Sequence, residues 1–143
     1  MTYLLDTVVV SALRLPGRNP RPAEWLRIHQ HDDLWISVLT IGEIAQGIEL
    51  APDAWLRREL EAWLDQLTVD FEPWIAPFGA RESVRWGRLC APLQLAGRPP
   101  ALVDSMIAAT AIERGLTIVS RNVRDFAPFG VPVINPWEDE NGA

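Results

Sequence analysis

The strongest constraint on this chain is a set of short, nearly continuous apolar runs, each followed at once by helix-forming sequence. Tyr3-Leu4-Leu5, Leu34-Trp35-Ile36-Ser37 and Leu116-Thr117-Ile118-Val119 are too short to be helices and show no inside–outside alternation. Such runs are strands buried on both faces, as in a parallel sheet sandwiched between helices. Trp74-Ile75-Ala76-Pro77 and Val131-Pro132-Val133-Ile134 are weaker strand candidates. The second belongs near a sheet edge, because Pro132 cannot donate to a ladder. Helices are expected over 7–13, 23–30, 40–50, 54–67, 80–95 and 101–114. Pro92 should kink the fifth or end it early. Gly115 closes the sixth. Ser120 to Phe126 reads as a loop with a helical turn. The expected fold class is therefore α/β, a parallel sheet of four to five strands covered by helices on both faces.

The length of 143 residues suits one domain over 1–143, with a tail that frays from about 138. The single cysteine, Cys90, excludes an internal disulfide framework and a cysteine-based zinc cluster. It reads as a buried packing residue. No signal peptide and no membrane-spanning run is visible, so a cytoplasmic location is expected. The formal net charge is −6, which argues against a general nucleic-acid binder. All 13 basic residues are arginines, the better side chain for bidentate phosphate contacts. His29 and His31 have no partner at metal-ligand spacing and read as solvated surface residues. Phosphate-binding glycine loops and nucleophile elbows are absent.

Within this frame three carboxylates stand out, each inside an apolar stretch where burial needs compensation. Asp6 directly follows the first strand. Glu43 falls in the first turn expected for the helix after the second. Asp104 lies near the start of the helix that feeds the Leu116–Val119 run. Each has a local alternative: Asp6 can cap its helix, Thr40 and Glu43 match a capping box, and Asp104 suits a helix N-terminus. Their joint approach to one sheet edge is what suggests a cation site and phosphate chemistry.

Leu4-Leu5-Asp6-Thr7, Ile41-Gly42-Glu43-Ile44, Asp104-Ser105-Met106-Ile107-Ala108-Ala109-Thr110-Ala111 and Ser120-Arg121-Asn122-Val123-Arg124-Asp125-Phe126 together resemble the PIN-domain ribonucleases. More narrowly they resemble the VapC-like toxins of toxin–antitoxin pairs, including the FitB-like branch, from Tyr3 to about Trp137. The resemblance implies a Mg²⁺- or Mn²⁺-dependent endoribonuclease whose acidic cluster is Asp6, Glu43 and Asp104, completed by either Asn122 or Asp125. Asp6 and Asp104 would hold the metal. It also implies an RNA substrate, a cognate antitoxin that reaches over the cleft, and a homodimer. No membrane is involved, and DNA only through the antitoxin. Arg121, Arg14 and Arg18 are candidate RNA-backbone contacts. The exposed tryptophans and the helix with Leu56, Leu60, Trp63, Leu64 and Leu67 on one face are candidate partner surfaces. Val8 departs from the family, which usually carries an asparagine there; Thr7 and Ser11 keep the accompanying hydroxyls. The alternative reading is a PIN-like binding or assembly module with weakened catalysis.

Overall fold

The computed structural model describes residues 1–138; residues 139–143, on which most of the expected frayed tail falls, lie outside the described residues. In chain order the elements are β1 (Thr2–Leu5), α1 (Thr7–Leu13), α2 (Pro20–Ile28), β2 (Asp33–Ser37), α3 (Val38–Leu50) and α4 (Ala54–Asp70). Then follow β3 (Ile75–Ala76), α5 (Ala80–Leu95), α6 (Leu102–Arg114), β4 (Thr117–Val119), α7 (Val123–Phe126) and β5 (Val133–Ile134). The strands form one sheet in the order β3-β2-β1-β4-β5, and every pairing is parallel. The α/β architecture expected, a parallel sheet of four to five strands, is present with five, and β5 lies at an edge as expected from Pro132. Pro132 still takes part through its carbonyl, which accepts the Ile118 N–H at 2.9 Å.

Successive strand residues serve opposite faces, so β1 feeds two cores. Tyr3 and Leu5 pack with Val9 and Val10 of α1, Trp25 of α2, Ile44 and Ile48 of α3, and Leu67 of α4. Leu4 packs on the other side with Ile107, Ala108 and Ala111 of α6 and with Phe126 of α7. Among the described residues, α1 to α4 thus cover one face and α5 to α7 the other. The α4 stripe docks as its spacing implies, with Leu60, Trp63, Leu64 and Leu67 at the first core. Trp55 does not join it: it is 69% exposed, its indole N–H donating to Glu59.

Several boundaries differ from the sequence expectation. α2 begins at Pro20 because proline at the first helical position has φ pre-set and no N–H to satisfy. α3 begins at Val38, capped by Ser37, whose hydroxyl accepts the Leu39 N–H at 3.0 Å. Thr40 is therefore buried inside the helix, the Thr40–Glu43 capping box does not form, and Glu43 sits in the second turn rather than the first. His29 is not a free surface residue: its ring stacks on Trp25 at 3.9 Å and meets Tyr3 edge to face. His31 is exposed as expected, and Cys90 is buried.

Pro92 does not end α5, which continues to Leu95. Arg88 and Pro92 are exposed, so water can solvate the carbonyl left without its helical partner, while Leu89 and Leu93 hold the helix to the core. Pro92→Ala should then restore one helical hydrogen bond and raise stability by about 1–3 kcal/mol. A urea midpoint that rises at constant slope would show this; an unchanged midpoint would mean that α5 has absorbed the proline without cost.

Candidate active site

The parallel register makes the site. Asp6 lies one residue beyond β1 and Ser120 one residue beyond β4. The ladder extends to both: Asp6 N–H donates to the Val119 carbonyl at 2.9 Å, and Ser120 N–H to the Ile134 carbonyl at 2.9 Å. This brings the two side chains together at the point where the sheet order reverses direction, the usual ligand crevice of open parallel sheets.

Asp6 is only 5% exposed, and both its oxygens are engaged. Oδ1 accepts the Thr7 N–H at 2.8 Å, making Asp6 the N-cap of α1, and Oδ2 accepts the Ser120 hydroxyl at 2.7 Å. Burial raises its pKa; the Ser120 and Thr7 hydrogen bonds pull it back down, and the charges of Glu43 and Asp125 push it up again. Ser120 is itself fixed, since its Oγ accepts the Asn122 N–H at 3.0 Å.

A second hydroxyl chain fixes Glu43. The Thr7 hydroxyl donates to Glu43 Oε1 at 2.6 Å, and Thr40 Oγ1 lies 3.0 Å from Thr7 Oγ1. Thr7 has one hydroxyl proton and gives it to Glu43, so Thr40 must be the donor to Thr7. The buried Thr40 thus acts through Thr7 on a carboxylate that sits three residues along its own helix.

Asp104, in the first turn of α6, accepts no hydrogen bond that caps the helix. Its pKa is raised to about 6, by burial first and then by the charges of Asp6, Asp125 and Glu43. Asp104 and Asp125 line one groove of about 280 Å³ with Arg98, Pro100 and Arg124. Glu43 lines another of about 210 Å³ with Thr7, Ser11, Arg14 and Trp63. Of the two candidates for the fourth position, Asp125 carries a charge that raises the pKa of Asp6 and Asp104, and like Asn122 it is exposed. Asn122 is exposed, and its side chain does not cap α7. Arg121 lies over the Trp137 ring at 5.1 Å, Arg14 beside Glu43, and Arg18 is exposed away from both grooves.

The donors are hard oxygens suited to Mg²⁺ or Mn²⁺, and their mutual repulsion is a demand for positive charge. Among the described residues no three acidic, histidine or cysteine side chains stand close enough to hold one ion together. An ion of the Mg²⁺ kind is commonly held by one or two carboxylates and keeps several waters. Sequence reasoning missed Ser120 and Thr40 as supports of the acids. Ser120 had a readable signal: like Asp6, it is the polar residue directly after a buried apolar run. Thr40 had none, because its hydroxyl acts across two helices.

The chain matches the PIN domain family over residues 3–129. It is 31% identical over 137 residues to Toxin FitB of Neisseria gonorrhoeae, covering 95% of this chain and 99% of that protein. It is 29% identical over 139 residues to VapC ribonuclease Y4jK of Sinorhizobium fredii, covering 94% and 97%. The crystal structure of FitAcB from Neisseria gonorrhoeae superposes with a TM-score of 0.88 at 29% identity, over 96% of this chain and all (100%) of that one. DNA-bound VapBC from Salmonella typhimurium, at 22% identity and a TM-score of 0.80 over 96% of this chain and 99% of that one, shares the fold.

The raised Asp104 pKa has a consequence for stability. An aspartate that titrates near 3.8 when unfolded and at about 6 when folded stabilises the fold fully below the lower value, and that contribution is lost as pH rises through the upper one. In EDTA, Asp104→Asn should therefore melt above wild type at about pH 7.5, with the gap closing near pH 4. A wild type as stable as the variant at the higher pH would contradict the crowding of charge at this edge.

Proposed function

We propose that this chain, which belongs to the PIN-domain family, is a metal-dependent endoribonuclease and the toxin half of a toxin–antitoxin pair, built as one PIN-like domain and working in the cytoplasm. The observation that carries this reading is the convergence of Asp6, Glu43, Asp104 and Asp125 on one sheet edge, where burial and mutual repulsion raise both Asp6 and Asp104. Relatives named as a toxin, a VapC ribonuclease and a tRNA(fMet)-specific endonuclease supply the reaction class. Among the described residues no helix is long and apolar enough to cross a membrane.

In this reading Asp6 and Asp104 hold Mg²⁺ or Mn²⁺, and Glu43 and Asp125, rather than Asn122, hold the surrounding waters. When bound, such an ion lowers the pKa of a water and stabilises charge on the scissile phosphate. The remaining work falls to the protein. Ser120 and the Thr7 amide orient Asp6 and favour its ionised form. The Thr40–Thr7 relay occupies one oxygen of Glu43 and leaves the other to accept a proton from a water on the cleft side. Val8 packs partly against the first core, and the hydroxyls of Thr7 and Thr40 provide polar support beside it.

The partner follows from the same relatives. The superposed structures at 28–29% identity are those of FitAcB and of FitAB bound to a DNA fragment. We expect a cognate antitoxin here too, reaching DNA where this chain does not. The exposed Trp55 and Val69 of α4 offer apolar surface for it or for a second copy.

Purified protein with single-stranded RNA and Mn²⁺ should give endonucleolytic products that EDTA abolishes. Asp6→Asn should lower kcat/KM by at least roughly a hundredfold, equal to several kcal/mol of lost charge stabilisation. Cleavage unaffected by EDTA or by this change would defeat the reading. Thr7→Val, nearly isosteric, should cut activity roughly tenfold by releasing Glu43 while leaving the Thr7 backbone bond to Asp6 intact. Activity equal to wild type would mean that the relay has no part in the reaction.

A further inference from the structure

The groove shared by Asp104 and Asp125 contains more than acids. Arg98 and Arg124 both line it, one on the loop between α5 and α6 and the other on α7. Among the described residues neither guanidinium is in an ion pair or a hydrogen bond, although two carboxylates line the same groove. Their placement is not left to a floppy loop. The Arg98 N–H donates to the Leu93 carbonyl at 2.8 Å, and Pro99 and Pro100 restrict the next two φ angles. Arg124 is carried on the short helix that Phe126 anchors in the core.

We propose that Arg98 and Arg124 form a phosphate clamp that seats the RNA backbone one step from the scissile bond and so positions the strand across the acids. The inference rests on the endoribonuclease reading and adds to it the residues that hold the substrate. Two considerations carry it. Guanidinium groups match the paired non-bridging oxygens of a phosphodiester and, being weakly hydrated, give up little water to meet them. Finally, a chain of net charge −6 needs local positive charge to bring a polyanion to an acidic edge.

The molecule supplies its own control. Arg81, Arg85 and Arg88 line a second groove on the flank of α5, together with Glu113. Arg85 is engaged by Glu113 at 3.0 Å. Glu113 is nine residues along α6 from Asp104, about 13 Å on the helix axis. Arginine content is as high there, but no catalytic candidate is near.

The test compares wild type, Arg98→Ala/Arg124→Ala and Arg81→Ala/Arg88→Ala. Affinity for a fluorescent single-stranded RNA is read by anisotropy in Ca²⁺ across a salt series, and steady-state cleavage is read in Mn²⁺. The clamp predicts that the first double variant binds about tenfold more weakly, with its log–log salt slope reduced by about 0.7 for each phosphate that is no longer neutralised. It should raise KM about tenfold and leave kcat within about twofold, and Arg98→Lys/Arg124→Lys should recover part of the affinity. The control double variant should match wild type. The proposal is overturned if affinity and salt slope are unchanged, if the control variant loses as much, if kcat falls while KM stays, or if wild type fails to retain the RNA at all. Weakened binding by the clamp variant together with a wild type that cleaves nothing would support the clamp and defeat the endoribonuclease reading, so the two can fail separately.

Discussion

The hydrogen bond between the Ser120 hydroxyl and the carboxylate of Asp6, 2.7 Å long and buried, joins the two halves of this molecule. It spans 114 residues of sequence and forms because β1 and β4 are parallel neighbours whose ladder runs one residue past each strand. A carboxylate so deeply buried is costly to ionise. Ser120 and the amide of Thr7 offset part of that cost, and the neighbouring acids add to it. The site is thus a balance set by the end of the sheet, and any shift in the β1–β4 register would remove it.

The same balance accounts for the character of the rest of the edge. Glu43 is held by a hydroxyl relay whose far end, Thr40, is wholly buried. Asp104 is left without a capping role and with three acidic neighbours. Groups arranged this way serve stability poorly, and clustered perturbed carboxylates in a cleft are the usual mark of a functional site. Arginines ring the acids without neutralising them, Arg14 on the Glu43 side and Arg98 and Arg124 on the Asp104 side.

Much of this was legible in the residues. The apolar runs of β1, β2 and β4 announced a parallel sheet because strands buried on both faces cannot alternate. Asp6, Glu43 and Asp104 were visible as acids in apolar company. What misled was local chemistry with two valid solutions. Thr40 and Glu43 satisfy a capping box on paper, yet Ser37 caps α3 and frees Thr40 for the relay. Pro92 should break a helix, yet α5 keeps going where the orphaned carbonyl meets water and the apolar face stays packed. His29 carried no sign of the Trp25 and Tyr3 rings that enclose it.

The sequence by itself determined the layers, the strand candidates and the identity of the acids, because burial pattern and helix signals are local and period-bound. Whether Asn122 or Asp125 completes the acidic site was open at that level, since both belong to one short motif. The tertiary structure puts Asp125 in one groove with Asp104 and uses the backbone N–H of Asn122 to bond Ser120. Only it could decide that Ser120 supports Asp6, that Thr40 acts through Thr7, and that Arg98 and Arg124 share a groove with the acids. Each of these depends on distances between segments far apart in the chain, and such distances are set by how strands pair and helices pack.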